Sequence, residues 1–282
     1  MFKIKKYIPD IVVAIILIAG IGLLAYPTIG DYINALHSSK AIGSYVEKTK
    51  DLSKEEKENL LREAREYNES LVGKVNRYYL NEEEKKRYAH ILDITKTGIM
   101  AYVEIPKLNI YMPVYHGTDE GVLQIAAGHL PGSSLPVGGE NTHSLISGHR
   151  GLPSAKLFTD IDKLKKGDLF FIHVFDEVLE YKVNQIKIVL PDDVETLEIE
   201  KGKDYVTLIT CTPYGVNSHR LLVRGERTVY KQSESKIEDM IKKNNLKYIM
   251  LTAGVILALI GMTVLVSVFL IKRRKRRKLN EK

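Results

Sequence analysis

The chain has 282 residues, 44% hydrophobic and 27% charged, with a single cysteine, no tryptophan and a formal net charge of +7. This composition excludes a low-complexity or collagen-like chain and leaves length for one or two globular domains, while one cysteine excludes an internal disulfide and points to a reactive or intermolecular thiol. The charge is not a bulk property that would favour nucleic acid, because residues 272–282 carry +7 and residues 1–10 carry +2, which leaves the remainder near −2.

Both basic flanks abut apolar runs. Residues 11–30 are free of charge for twenty positions and residues 248–271 for twenty-four, each long enough to cross a hydrocarbon core of about 30 Å as a helix. A stop-transfer flank explains the basic tail better than a nucleic-acid site. Positive flanks favour the cytoplasm, so the expectation is a multi-pass membrane protein with both termini inside and the middle outside. A cleaved signal peptide is the alternative for the first run, but Tyr26-Pro27-Thr28 is a poor small-x-small site, which favours a retained anchor. Residues 1–10 are then a cytoplasmic flank, 11–30 and 248–271 the two spans, and 272–282 a cytoplasmic tail.

Residues 31–97 read as a helical extension. Asp31 to Ser44 is polar and mixed. Ser53 and Glu56 form a capping-box pair, followed by Leu60, Leu61, Ala64, Tyr67 and Leu71 at helical spacing. A second helix is expected over 81–92, with Asn81 as its cap and Glu82 to Glu84 in the first turn. At Gly98 the period changes. Strand-like runs lie at 98–105, 108–114, 143–147, 168–175, 178–190, 205–211 and 221–229, with one short helix at 119–126 and a Gly/Pro/Ser-rich loop at 128–139. Residues 98–230 therefore form a mainly β domain, a closed barrel or a sandwich. Residues 231–247 are a charged linker into the second span.

Three polar residues stand out within the β domain. Cys211 ends one strand-like run, and Arg220 opens the next. His149 sits in the Gly-flanked loop Ser147-Gly148-His149-Arg150-Gly151. A thiol is a weak nucleophile near neutral pH until a base or cation favours its thiolate. An imidazole can take that proton and later protonate a leaving amine. A guanidinium presents fixed donors that suit an oxyanion or a substrate carbonyl. Together they point to acyl transfer through a thioester. The bland readings are a buried small cysteine, a turn histidine and a solvated strand-end arginine. His129, His143 and His219 compete with His149, although His219 should face away from Arg220's side of the strand. A zinc site from His143, His149 and Cys211 matches no compact metal-binding spacing.

These residues resemble the sortase family. The resemblance rests on the segments Thr207–Gly215, Asn217–Arg220 and Ser147–Gly151, and extends through Glu104–Leu108, Pro113–Thr118 and Leu157–Ile161. It implies a closed eight-stranded sortase-type β-barrel over about residues 98–228, with N-terminal helices and a transmembrane helix at each end. The helical extension and the C-terminal span are similar to class C, the pilin-polymerising sortases. That class implies cleavage of an LPXTG-like sorting signal between Thr and Gly. It implies Cys211 as acyl-thioester nucleophile, His149 as proton donor and acceptor, and Arg220 as oxyanion stabiliser or substrate orienter. The implied partners are pilins or surface proteins with such signals and an acceptor amine, from a pilin lysine or a cell-wall precursor. No cofactor and no metal are implied. Anchoring of single proteins to the wall, or a non-catalytic membrane-tethered binding module, are the rival readings.

One departure is plain. Many class C enzymes carry an Asp-Pro-aromatic lid ahead of the barrel, whereas here no proline occurs between Pro27 and Pro106, and the corresponding stretch is Gly73-Lys74-Val75-Asn76-Arg77-Tyr78-Tyr79. The favoured expectation is a simple loop between two helices; a lid built from Arg77 with Tyr78 or Tyr79 is the alternative.

Overall fold

The computed structural model describes residues 8–230, together with residues 250, 253, 254 and 261. The linker, nearly all of the second apolar run and the basic tail lie outside the described residues. Two compact units are distinguished, and residues 33–232 form the larger. Most of the described part of the other is the apolar stretch of α1.

Helix α1 runs over Ile8–Asp51 with Pro27 inside it. It is long and apolar enough, by length and composition, to cross a membrane, and Val13, Ile16, Ile18, Leu23 and Leu24 are exposed along it. The polar, mixed stretch from Asp31 to Ser44, the start of the expected helical extension, continues the same helix. Its buried side chains Ser38, Ile42, Tyr45 and Thr49 recur at steps of three and four, one face of a helix. Two of the four, Ser38 and Thr49, are small polar residues, which hides the periodicity from a hydrophobicity count. Tyr45 fixes this face to the barrel: its hydroxyl donates to the Met100 carbonyl (3.1 Å) and accepts from the Phe175 N–H (3.0 Å).

Helix α2 (Lys54–Leu71) begins at the expected capping box, with Ser53 accepting from Glu56 N and Glu56 accepting from Ser53 N. It buries Leu61, Ala64, Tyr67 and Leu71. Helix α3 (Glu82–His90) is capped in the same way by Asn81 and Glu84. The α2 side chain Asn68 is buried and pairs with both backbone groups of Leu135, donating to its carbonyl (3.1 Å) and accepting from its N–H (2.7 Å). A short polar side chain buried this way needs both bonds, so α2 is held to one place on the barrel.

The barrel is closed, in the order β1-β2-β3-β4-β7-β8-β6-β5. Its strands are β1 (Ile99–Ile105), β2 (Ile110–His116), β3 (Ala127–His129), β4 (Thr142–Ser147), β5 (Leu169–Val174), β6 (Glu177–Val189), β7 (Asp204–Thr212) and β8 (His219–Thr228). A four-residue helix, α4 (Glu120–Leu123), precedes β3. Seven strands lie where the alternation placed them. The eighth, β3, falls partly in the stretch read as a loop; three residues are too short for a period to show. It pairs parallel to β2 and antiparallel to β4, and so closes the ring. Closure removes the exposed edges that an open sheet would present.

Alternation along β7 sorts the chemistry. Val206 and Leu208 point into the main core with Ile146 and Val223. Ile209 points outward and joins Leu145, Leu197 and Leu222 in a second, smaller apolar cluster. Cys211 is two residues on from Ile209, so it shares this outer face.

Candidate active site

Register brings the three expected residues together. β7 and β8 are antiparallel, and Cys211 is directly opposite Arg220. Residues opposed in this way project to the same face with Cβ atoms roughly 5 Å apart. β4 runs parallel to β7 with Ser147 beside Ile209, so the chain two residues past Ser147 reaches His149 at the level of Cys211. That exit is fixed by two bonds: Gly148 N–H donates to the Ile209 carbonyl (3.0 Å), and the Thr210 hydroxyl donates to the Gly148 carbonyl (2.7 Å). Gly148 is required there because a Cβ would lie 2.6 Å from the Phe158 ring. Past Cys211, Gly215 and Asn217 adopt left-handed conformations (φ 75° and 60°) that turn the chain back into β8.

Cys211, His149 and Arg220 line one groove of about 300 Å³. Its apolar lining includes Leu130, Val189, Leu190, Val194, Leu197 and Leu222. Cys211 is a free thiol, and Cys211, His149 and Arg220 are all half-buried. The Arg220 guanidinium donates to the carbonyls of Asn217 and His219, both at 3.2 Å, which ties it to the β7–β8 turn. His149 Nε2 lies 3.5 Å from the Glu120 carboxylate. Glu120 accepts from Gln124 at 2.5 Å, and that bond, followed by the charge of His149, holds its carboxyl below the usual range.

The competing histidines go elsewhere. His129 is wholly buried, its Nε2 2.8 Å from the Ser134 carbonyl, and burial pushes its pKa down to about 3. His143 is also buried, between the Glu198 carbonyl (2.9 Å) and the Thr207 hydroxyl (2.7 Å), and burial pushes it down to about 4. Both are neutral structural groups near pH 7. His219 is bonded to the adjacent Ser218 hydroxyl. Among the described residues no group of three or more His, Cys, Asp or Glu side chains has a metal-binding arrangement.

Glu120 was not visible in the sequence as a site residue. It lies 29 positions before His149 on a one-turn helix, and only the β2–β3 connection brings it across. Because it is exposed, its interaction with His149 is weakened by solvent. Glu120→Gln is therefore expected to leave kcat/KM for peptide cleavage within about threefold of the parent; a loss of 100-fold would make Glu120 an essential partner of the histidine.

The loop between α2 and α3 does not cover the thiol. None of residues 73–80 lines the groove, and the Tyr79 side chain is 84% exposed. Tyr78 instead packs against the outer apolar cluster of Leu145, Leu197, Ile209 and Leu222.

The family model for the sortase domain matches residues 103–228, the β-barrel that carries all three site residues. Sortase A of Bacillus anthracis is 32% identical over 133 residues, 47% of this chain and 61% of that protein. The chain thus spans about three-fifths of the length of relatives such as this one and sortase D of Bacillus subtilis. Among solved structures, sortase C1 of Streptococcus agalactiae is 49% identical, and the match covers 68% of this chain and all of that one with a TM-score of 0.67. The chain belongs to the sortase family. A second similar sortase structure, sortase C of Streptococcus pneumoniae, is 46% identical over 69% of this chain and 99% of its own, with a TM-score of 0.62. These solved neighbours are class C sortases, and the sortases it resembles are cysteine transpeptidases. Its apolar α1 accords with membrane association.

Proposed function

We propose that this sortase is a class C transpeptidase that builds pili. The observation that carries the reading is the pairing of Cys211 with Arg220 across β7–β8, with His149 delivered to the same groove by β4. The Cys211 thiolate attacks the Thr carbonyl of an LPXTG-like sorting signal. Arg220 stabilises the oxyanion or orients that carbonyl. As the Thr–Gly bond breaks, His149 protonates the departing Gly amine, leaving a thioester on Cys211. An incoming amine then attacks the thioester, loses its proton to His149, and releases the thiolate with a new amide bond.

The acceptor is proposed to be a lysine of the next pilin. Supporting this choice are the similarity to sortase C proteins, one of them studied for pilin substrate specificity and another the sortase C1 of a GBS pilus island. A cell-wall amine would use the same first half-reaction. The domain arrangement proposed with it has residues 11–30 and 248–271 as membrane spans, the barrel of 98–230 outside, and both basic ends in the cytoplasm.

Mass spectrometry of the full-length protein incubated with an LPXTG-type peptide tests the reading. The expected species is the protein plus the acyl fragment ending in Thr, on the peptide that contains Cys211. Acyl transfer to a lysine-bearing pilin, and not to a cell-wall amine, is expected in the second step. Peptide binding with no acylated species would favour a non-catalytic binding module.

A further inference from the structure

The loop that would carry a lid has a different attachment here. Arg77 is 4% exposed, and its guanidinium reaches away from α2 to the connection between β6 and β7. It donates to the Leu197 carbonyl (2.7 Å), the Glu198 carboxylate (3.2 Å) and the Tyr78 hydroxyl (2.8 Å). Its carbon centre also lies 4.9 Å from the centroid of the Tyr78 ring. Beneath it the backbone is seated on the β3–β4 loop: Gly132 has φ +84°, and a Cβ there would lie 2.2 Å from the Arg77 carbonyl oxygen. Leu130 from that loop and Leu197 from the β6–β7 connection both line the groove. Arg77 therefore joins the two loops that flank the thiol.

The β6–β7 connection crosses the outer face of β4, β7 and β8, and one half of it is pinned. The Glu198 carbonyl bonds His143 on β4. The Glu200 carboxylate takes Arg224 on β8 (2.9 Å) and the Tyr205 hydroxyl on β7 (3.3 Å). Leu197 sits in the apolar cluster with Ile209 and Leu222. The other half, Leu190 to Val194, is exposed and forms the groove's open wall. Among the described residues ahead of the barrel, Arg77 and its neighbour Tyr78 are the ones whose side chains hydrogen-bond to the pinned half. A guanidinium held this deep needs its acceptors in place, so the bonding works in both directions: the wall holds Arg77 and Arg77 holds the wall.

We propose that Arg77 is a positioning residue for the substrate groove, fixing the β6–β7 wall through Leu197 and Glu198 so that the acyl-donor peptide meets a preformed surface. The extension ahead of the barrel thereby tunes substrate binding instead of plugging the thiol. This rests on the transpeptidase reading, and the experiment separates the two. Full-length parent, Arg77→Ala and Arg77→Lys are compared for LPXTG-type peptide cleavage, for Cys211 alkylation by iodoacetamide, and for amide hydrogen exchange over residues 190–199. In Arg77→Ala, KM is expected to rise about tenfold with kcat within about twofold, since the lost bonds act on binding. Arg77→Lys should recover only part of this, because an ammonium cannot reproduce the fork. Alkylation should change by less than about twofold, and exchange over residues 190–199 should quicken at least fivefold while β7 and β8 stay protected. Unchanged KM and exchange in both variants would overturn the proposal, as would a large acceleration of alkylation, which belongs to a plug. Should Arg77→Ala fail to fold, the lysine variant decides on the same readouts. A parent that never cleaves the peptide refutes the transpeptidase reading, while the exchange result still judges the clamp.

Discussion

Cys211→Ala is expected to lower cleavage of an LPXTG-type peptide by at least about 10⁴-fold and to leave no acylated protein at all. The residue carries the bond-forming atom in the proposed mechanism, and the other groups lining the groove have no comparable nucleophile. Fold and binding should survive: Cys211 is half-buried at a strand end, and alanine fits the same backbone. The variant should accordingly bind peptide with an affinity close to the parent's, measured by calorimetry or fluorescence anisotropy. Residual cleavage above about 1% of the parent rate would place the nucleophile elsewhere.

His149→Ala is expected to reduce kcat by roughly 10²–10⁴-fold, the range for loss of a general acid–base group. The effect should be largest when the leaving group is an amine. A substrate with a thiol leaving group needs no proton from His149 on departure, so part of the rate should return with it. Arg220→Ala should cost roughly 10²–10³-fold with either leaving group, because an oxyanion forms in both cases. Arg220→Lys should not restore it in full, since the guanidinium donors are fixed in a plane and the ammonium is a point charge. Equal losses for His149→Ala with amine and thiol leaving groups would remove the proton-transfer role and leave a positioning one.

Much of this molecule was legible from local chemistry. The capping box at Ser53 and the cap at Asn81 stand where the sequence placed them, because a cap is made by residues three apart and needs nothing distant. Seven of the eight strands follow from alternation for the same reason. β3 did not, since three residues carry no period and its stability comes from two neighbouring strands. The second half of α1 lies in the expected helical extension, but its buried face was not legible: it includes Ser38 and Thr49, polar groups whose burial depends on the barrel surface they meet.

The histidines show the boundary most sharply. From sequence, His129, His143 and His149 are three loop or strand-end imidazoles of equal standing on chemistry alone. The fold buries two of them among carbonyls and hydroxyls, where the charged form is disfavoured, and leaves His149 in the groove with the thiol. Resemblance to a family could single out His149, but burial is what disqualifies the others.

The sequence by itself determined the helices with local caps, the strand alternation, the lone cysteine and the two basic flanks beside apolar runs. Each depends on residues within a few positions of one another. Tertiary structure decided what surrounds Cys211: the strand order that sets β4 beside β7, the Glu120 carboxylate at His149, and Arg77 bonded 120 residues away to Leu197. Those pairings depend on barrel closure and loop path, which no local pattern encodes, because a side chain's partner across a fold is chosen by geometry that the whole chain must first complete.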